Sequence, residues 1–220
     1  MRYLLVTTAA LLFSVFASAP ARADFVFQFT DTSGNAQSNF TVAQGSTVGV
    51  SVYLLEFNGA TPATVLTSQG LSSAGVALTY AAGSPATVQN AAAITPNAAF
   101  DLSQSPSVTS TAARLDETAS TPLSPSAYSG APGGERILIG TFNFTGNTPG
   151  TSFAITADPH TGQDDNVTGT GAVLDSMIAN SSAVITVTAV PEPGSLALCA
   201  LAATGASLGA WRRWRKRAAA

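Results

Sequence analysis

The chain has 220 residues, of which nine are basic and twelve acidic, for a formal charge of −3, and it contains one histidine and one cysteine. Between Asp24 and Val190 only Arg114 and Arg136 are basic, and eleven acidic residues give this part a formal charge of −9. Such an acidic surface excludes unaided binding of nucleic acid. This part has no cysteine and one histidine, which excludes a zinc motif and a disulfide framework.

The amino-terminal segment, residues 1–23, has the three parts of a secretory signal peptide. Arg2 supplies the positive charge, and Leu4 to Phe16 form an apolar stretch that is short for an uncleaved anchor. Ala21 and Ala23 are the small residues that precede the predicted cleavage site at Asp24. The sequence therefore predicts export through the secretion machinery and removal of this segment by signal peptidase.

Alternation of apolar and polar residues predicts short β-strands after the signal peptide. In the first strand Phe25, Phe27 and Phe29 share one face, and in a later strand Val48, Val50, Val52 and Leu54 do so. The other predicted strands are 40–43, 71–80, 86–90, 136–145, 151–157 and 183–190, with one helical turn at 174–179. The turn residues 146–150 predict a hairpin between two of these strands.

Residues 91–134 are the least regular part of the chain, rich in Ala, Ser and Pro. We expect long loops here, with short strands near 100–102 and 113–115. Pro122, Pro125 and Pro132 argue against a central strand between Thr121 and Gly134, since proline cannot donate to a strand ladder.

Short strands separated by polar turns predict an all-β fold, an antiparallel β-sandwich of the jelly-roll type, over residues 24–189 as one domain. The strand pattern at 40–55, 70–80 and 136–157 resembles the cohesin-like and carbohydrate-binding-module sandwiches. The resemblance implies two classes of partner, proteins for the cohesin-like domains and polysaccharide for the modules.

The carboxyl-terminal residues 190–220 combine three features in a fixed order. Pro191, Glu192 and Pro193 form a stiff, extended tripeptide. Residues 194–211 carry no charge and at about 1.5 Å per residue reach about 27 Å, enough for a transmembrane helix with little tilt. The basic cluster in the tail 212–220 keeps this end in the cytoplasm; it consists of Arg212, Arg213, Arg215, Lys216 and Arg217.

This order of tripeptide, apolar segment and basic end resembles the PEP-CTERM sorting signal of Gram-negative bacteria. The resemblance implies a processing enzyme, exosortase, that cleaves near the tripeptide and passes the protein on to the cell envelope or exterior. Two alternatives remain: the tripeptide as an ordinary proline-rich linker, and the basic tail as a site for nucleic acid or lipid headgroups.

Few residues before the tail are suited to chemistry. His160 is the only histidine, no Gly-x-Ser-x-Gly motif accompanies it, and a histidine in a loop is usually solvated. Asp158, Asp164 and Asp165 supply clustered oxygen ligands that suit a calcium ion, although their spacing matches neither an EF-hand nor a dockerin loop and an ordinary solvated acidic loop is the alternative. We therefore predict no catalytic residue and no cofactor other than this calcium ion.

The sequence as a whole predicts an exported, non-enzymatic protein of the cell envelope or extracellular matrix. Its precursor is expected to be anchored transiently in the inner membrane, with the carboxyl end in the cytoplasm, until exosortase processes it. The alternative is a surface module that binds polysaccharide or protein, although the domain has no tryptophan to stack on a sugar.

Overall fold

Strands form most of the fold. The computed structural model describes residues 25–57, 65–159, 165–190 and 201. Its helical segments up to residue 190 are short: α1 (Val65–Gln69) and two 3-10 helices, Ala91–Ala93 and Asp175–Met177. The strands are β1 (Phe25–Thr30), β2 (Asn39–Ala43), β3 (Thr47–Phe57), β4 (Leu71–Thr79), β5 (Ala86–Val88), β6 (Ile94–Pro96), β7 (Ser103–Val108), β8 (Ala112–Leu123), β9 (Ser126–Tyr128), β10 (Gly134–Gly146), β11 (Thr151–Asp158), β12 (Val167–Thr168), β13 (Ile178–Ala179) and β14 (Ser181–Thr188).

The strands form two sheets that enclose a common core. Sheet A has the order β13-β1-β3-β10, and the short strands β5, β6 and β9 each pair with β10. Sheet B has the order β2-β14-β11-β4-β8-β7, and β12 also pairs with β4. The predicted all-β sandwich is therefore present in the described residues.

The predicted alternation places the core correctly in the strands with the strongest patterns. Phe25, Phe27 and Phe29 are buried, and so is the inward face of β3. Side chains from β8, β10, β11 and β14 complete one contiguous core between the sheets. Each fully buried Phe or Leu side chain contributes roughly 1.5–3 kcal/mol, so the core is the main source of stability in a domain without disulfides.

The sheets differ in two ways from the predicted antiparallel arrangement. β1 and β13 run parallel, and so do β2 and β14. The predicted hairpin at 146–150 is wrong, because β10 belongs to sheet A and β11 to sheet B. The turn residues there lead the chain across from one sheet to the other.

The expectation of long loops in residues 91–134 is also wrong. β7 and the twelve-residue β8 lie here, and β8 is a central strand between β4 and β7. The prolines sit where the ladder tolerates them: Pro106 is on the edge strand β7, and Pro122 lies where the register between β4 and β8 shifts. The exposed face of β7 is all polar, so the sequence offered no apolar alternation.

The buried Glu56 and the half-buried Asn97 replace missing backbone partners near the sheets. Glu56 accepts hydrogen bonds from the backbone N–H groups of Val65 (2.8 Å) and Leu66 (2.7 Å), which are free donors of the first turn of α1. Asn97 fills a gap along β10, because its Nδ2 donates to the carbonyl of Leu138 and its N–H to that of Ile139. Both satisfy polar groups that burial would otherwise leave unpaired.

A parallel strand pair holds each end of the fold. Phe25 pairs with Ile178 where β1 and β13 run parallel, and Thr188 pairs with Ala43 where β14 and β2 run parallel. The chain leaves β14 only two residues before the predicted sorting tripeptide. Any cut that spares the fold must therefore fall after Thr188.

Several sequence predictions fall on residues outside the described ranges. They are the signal peptide with its cleavage site, the sorting tripeptide, the basic cluster and, apart from Leu201, the predicted membrane segment. Among the described residues, no helix has the length and apolarity needed to cross a membrane.

Candidate acidic binding face

The outward side of sheet B carries most of the charged side chains that the sheet contributes to the surface. The strand register aligns Asp158 of β11, Ala77 of β4 and Arg114 of β8 in one row across the sheet. The next row on the same side aligns Gly75 of β4 with Asp116 of β8. The charged residues of this surface are Asp158, Arg114, Asp116 and Asp165, and together with the serines beside them they are called the acidic face.

Asp165 joins this face from the segment between β11 and β12. Its side chain lies directly on Gly75, since a Cβ atom added to this glycine would come within 2.3 Å of the Asp165 Cβ. Gly75 is thus required by close approach of another residue. A small cavity of about 160 Å³ opens beside this contact, between Asp165 and Asp116, and Ser73, Ser103 and Ser105 line it.

Hydrogen bonds of Asn166 fix the position of the neighbouring Asp165. It is fully buried, its Oδ1 accepts from the N–H of Gly75 (3.3 Å), and its Nδ2 donates to the carbonyl of Gly75 (2.9 Å). The same Nδ2 donates to Asp175 Oδ1 (2.6 Å), and Asp175 Oδ2 accepts from the N–H of Asp165 (3.0 Å). The backbone on both sides of the cavity is therefore fixed by side-chain hydrogen bonds.

The predicted calcium ligands are only partly placed. Asp158 and Asp165 both lie on the acidic face, whereas Asp164, like His160, is outside the described residues. Among the described residues no three His, Cys, Asp or Glu side chains form a group that could hold a metal ion. The calcium site stays a prediction.

The sequence analysis placed Arg114 in a short predicted strand, 113–115, but identified neither Arg114 nor Asp116 as a site residue. A usable signal was present: Ala113, Leu115 and Ala119 alternate with Arg114, Asp116 and Thr118, as in a strand with one buried face. Glu117 is in phase with the apolar set and is indeed buried, at 2% exposure. The phase of a residue within β8 thus predicts its position better than its polarity does.

The outward side of sheet A has a different character. The Arg136 guanidinium lies between the rings of Tyr53 (4.3 Å) and Tyr128 (4.6 Å), and its Nη1 donates to Gln28 Oε1 (2.9 Å). Tyr53 lies on the face of β3 opposite the buried Val52 and Leu54, whereas Tyr80 is buried in the core. Because both tyrosine rings cover the guanidinium, neither offers that ring face to a sugar, and the cluster fastens β9 to the sheet.

A scan against protein-family models finds no match for this chain, and a search of curated proteins finds none either. The comparison with solved structures does find similar chains. The solution structure of CaCohA2 from Clostridium acetobutylicum is 17% identical, with a TM-score of 0.48, and the match covers 76% of this chain and 92% of that one.

Two further solved structures are similar in the same way. The cohesin module from a Clostridium perfringens family 33 glycoside hydrolase is 15% identical, with a TM-score of 0.48 over 75% of this chain and 98% of that one. A chain of the Coh-OlpA–Doc918 complex, a type I cohesin–dockerin complex from Clostridium thermocellum, is 10% identical, with a TM-score of 0.44 over 74% of this chain and 99% of that one. Cohesin modules, one of the classes that the strand pattern resembles, are thus among the solved structures similar to this chain.

Proposed function

We propose that this chain is an exported, non-enzymatic protein of the cell envelope or matrix whose β-sandwich binds a protein partner through the acidic face. The observation that carries the proposal is the grouping of Asp116, Asp158 and Asp165 with Arg114 on the outward side of sheet B. The solved cohesin–dockerin complexes, in which a similar fold holds a protein partner, are in keeping with it.

The charges on this face favour a partner with a basic surface. Three carboxylates against one guanidinium leave the face negative, and complementary charge raises both the association rate and the specificity of a protein complex. The cavity, at about 160 Å³, is smaller than the pockets of roughly 300–1,000 Å³ that hold small-molecule substrates. The face therefore suits docking of a surface better than turnover of a substrate.

Polysaccharide is the second candidate partner, and the chemistry of the acidic face argues against it there. Sugar-binding faces use aromatic rings as stacking platforms. The outward side chains along β4, β7, β8 and β11 in the described part of the chain are aliphatic, hydroxyl-bearing or charged, with no aromatic ring among them.

Placing a cation in the face should weaken retention of the protein by its producing cell. Ser105 is exposed at the cavity, so Ser105→Lys puts an ammonium group among the carboxylates and opposes a basic partner. We expect the released fraction of the full-length protein in the culture medium to rise several-fold, and high salt to release the unaltered protein likewise.

The matched control for this experiment is Thr41→Lys, which adds the same charge to the same sheet at the exposed strand β2. Thr41→Lys should leave retention unchanged. Equal retention of the Ser105→Lys protein and the unaltered protein would show that the partner binds elsewhere.

The sorting step is the other part of the proposal. We propose that exosortase recognises Pro191, Glu192 and Pro193 and that the membrane segment and basic tail are removed with them or shortly after. Support comes from the order of these features in the sequence and from the position of Thr188, the last residue of β14, just before the tripeptide.

A reporter fusion tests this step without disturbing the sheet. Residues 189–220 are joined to a secreted reporter, so that β14 stays out of the fusion, and the fusion is expressed in hosts with and without exosortase. We expect a shortened, tail-free reporter only where exosortase is present, and replacement of all three tripeptide residues by alanine should abolish it. The same products in both hosts would refute exosortase processing.

A further inference from the structure

Strand β2 lies at one end of sheet B and, in the described residues, pairs on one side only, in parallel with β14. Two backbone hydrogen bonds fix which of its groups this pairing uses. The N–H of Val184 donates to the carbonyl of Ser38 (2.8 Å). The N–H of Gln44 donates to the carbonyl of Thr188 (2.9 Å). Since every second residue of a strand bonds the same neighbour, the even-numbered residues of β2 face β14.

The odd-numbered residues of β2 therefore turn their N–H and C=O groups toward the outer edge. Asn39 and Thr41 are exposed, and no hydrogen bond within the described part of the chain engages their backbone groups. The strand itself is held in place, because Phe40 and Val42 are buried in the core. β2 thus presents a preformed ladder edge that a further strand can extend.

The opposite end of sheet B is protected against such pairing. There the edge strand β7 contains Pro106, which has no N–H to donate to a further strand. β2 has the sequence Asn-Phe-Thr-Val-Ala, without the proline or charged residue that usually blocks an open edge. Of the two ends of the sheet, the β2 edge is the one suited to strand addition.

The charges of the domain indicate which strand is added. Residues 24–190 carry a formal charge of −9, which opposes the association of two copies over most of the surface. Neither β2 nor its neighbour β14 has a charged residue, so two copies meet at this edge with the least repulsion. The edge is also complementary to itself, because two antiparallel copies of β2 exchange N–H and C=O groups about a two-fold axis at Thr41.

We propose that this protein forms a symmetric dimer by antiparallel pairing of β2 with β2 of a second copy. The dimer joins the two copies of sheet B into one continuous sheet. The cavity of the acidic face lies between β4, β8 and β7, at the far end of sheet B from β2, so it stays open in both copies.

Sedimentation velocity of the full-length protein, solubilised in detergent, tests the pairing. We expect a reversible dimer whose dissociation constant rises at least tenfold in Thr41→Pro, because proline removes the N–H at the two-fold axis and its ring blocks the edge. Thr41→Ala is the matched control: it keeps the N–H, removes the exposed side chain, and should leave the dissociation constant unchanged. Circular dichroism should show the same fold for all three proteins.

Amide hydrogen exchange checks the same edge without any substitution. Exchange at Thr41 should slow as the protein concentration rises through the dissociation constant, whereas exchange in β7 should not change. The proposal is overturned if the protein is a monomer at high-micromolar concentration, if Thr41→Pro dimerises as tightly as the unaltered protein, or if Thr41→Ala weakens the dimer equally. Retention through the acidic face is measured separately, by the Ser105→Lys variant.

Discussion

Replacing Asn166 with alanine should destabilise the protein more than replacing any other polar residue that we consider. The side chain is fully buried and bonds both the N–H and the carbonyl of Gly75. Two backbone pairings flank Gly75 along β4: Ala77 with Asp158 of β11, and Ser73 with Val167 of β12. Between them the Asn166 amide supplies the hydrogen bonds that a neighbouring strand would otherwise make to β4. Without it, two buried backbone groups lose their partners.

Each such group costs about 1–3 kcal/mol when it is left unsatisfied, so we expect a loss of roughly 2–6 kcal/mol in the free energy of unfolding. For a chain of this size that corresponds to a fall of roughly 4–24 °C in the melting temperature. Thermal unfolding of the full-length protein, followed by far-ultraviolet circular dichroism, measures it.

Two further variants distinguish the loss of the amide hydrogen bonds from the loss of side-chain volume. Asn166→Asp keeps the shape but replaces the Nδ2 donor with an oxygen that faces the Gly75 carbonyl and Asp175, so it should be at least as harmful. Asn39→Ala removes an exposed asparagine whose Nδ2 bonds only the neighbouring Ser38 hydroxyl, and it should change the stability by about 0.5 kcal/mol or less. A melting temperature for Asn166→Ala within 2 °C of the unaltered protein would contradict the role assigned to the amide.

The sequence predicts those strands whose two faces differ most. β1, β3 and β4 alternate cleanly, and the structure buries the expected face of each. β7 has the sequence Ser-Gln-Ser-Pro-Ser-Val at a sheet edge with both faces largely exposed, so nothing in its pattern separates it from a loop. Which strands pair with each other is harder to predict than where the strands lie. The turn residues after β10 have the same composition whether the chain forms a hairpin within one sheet or crosses to the other sheet.

The candidate site was also predicted only in part from the sequence. Asp158 and Asp165 were predicted as site residues because they lie close together in the sequence. Asp116 and Arg114 lie beside them only because β8 pairs with β4. Such long-range pairing cannot be read from local composition. The burial of polar residues is also hard to predict from polarity alone. For Glu56 and Glu117 the strand pattern does indicate burial, because each is in phase with the apolar side chains of its own strand.

Glu117 should make the stability of the protein fall as the pH rises through the neutral range. Its carboxyl group is buried between the sheets, with Oε1 accepting from the N–H of Asn97 (2.9 Å). Burial disfavours the charged form and raises the pKa of Glu117 to about 8, against which the hydrogen bond from Asn97 acts only weakly. At neutral pH the folded protein therefore carries this side chain as the neutral acid.

The sign of the effect follows from proton binding in the two states. Between the ordinary pKa of a glutamate, 4.5, and the folded value of about 8, the folded protein holds a proton on Glu117 that the unfolded chain has lost. In that range the free energy of unfolding decreases by up to about 1.4 kcal/mol for each pH unit. Above pH 8 both states are ionised, and this contribution no longer changes.

Glu117→Gln removes the pH-dependent contribution of this carboxyl to stability. Glutamine keeps an oxygen that accepts from the N–H of Asn97 and has no proton to lose. Urea unfolding of the full-length protein at pH 5 to 9 should show a falling midpoint for the unaltered chain and a much flatter profile for the variant. Asp101→Asn is the control: hydrogen bonds from Ser120 lower the pKa of that exposed carboxyl from its ordinary 3.8, so its contribution is lost only at more acidic pH than the range measured. Parallel profiles for the unaltered protein and Glu117→Gln would mean that the buried carboxyl is already ionised at neutral pH, which would contradict a pKa raised by burial.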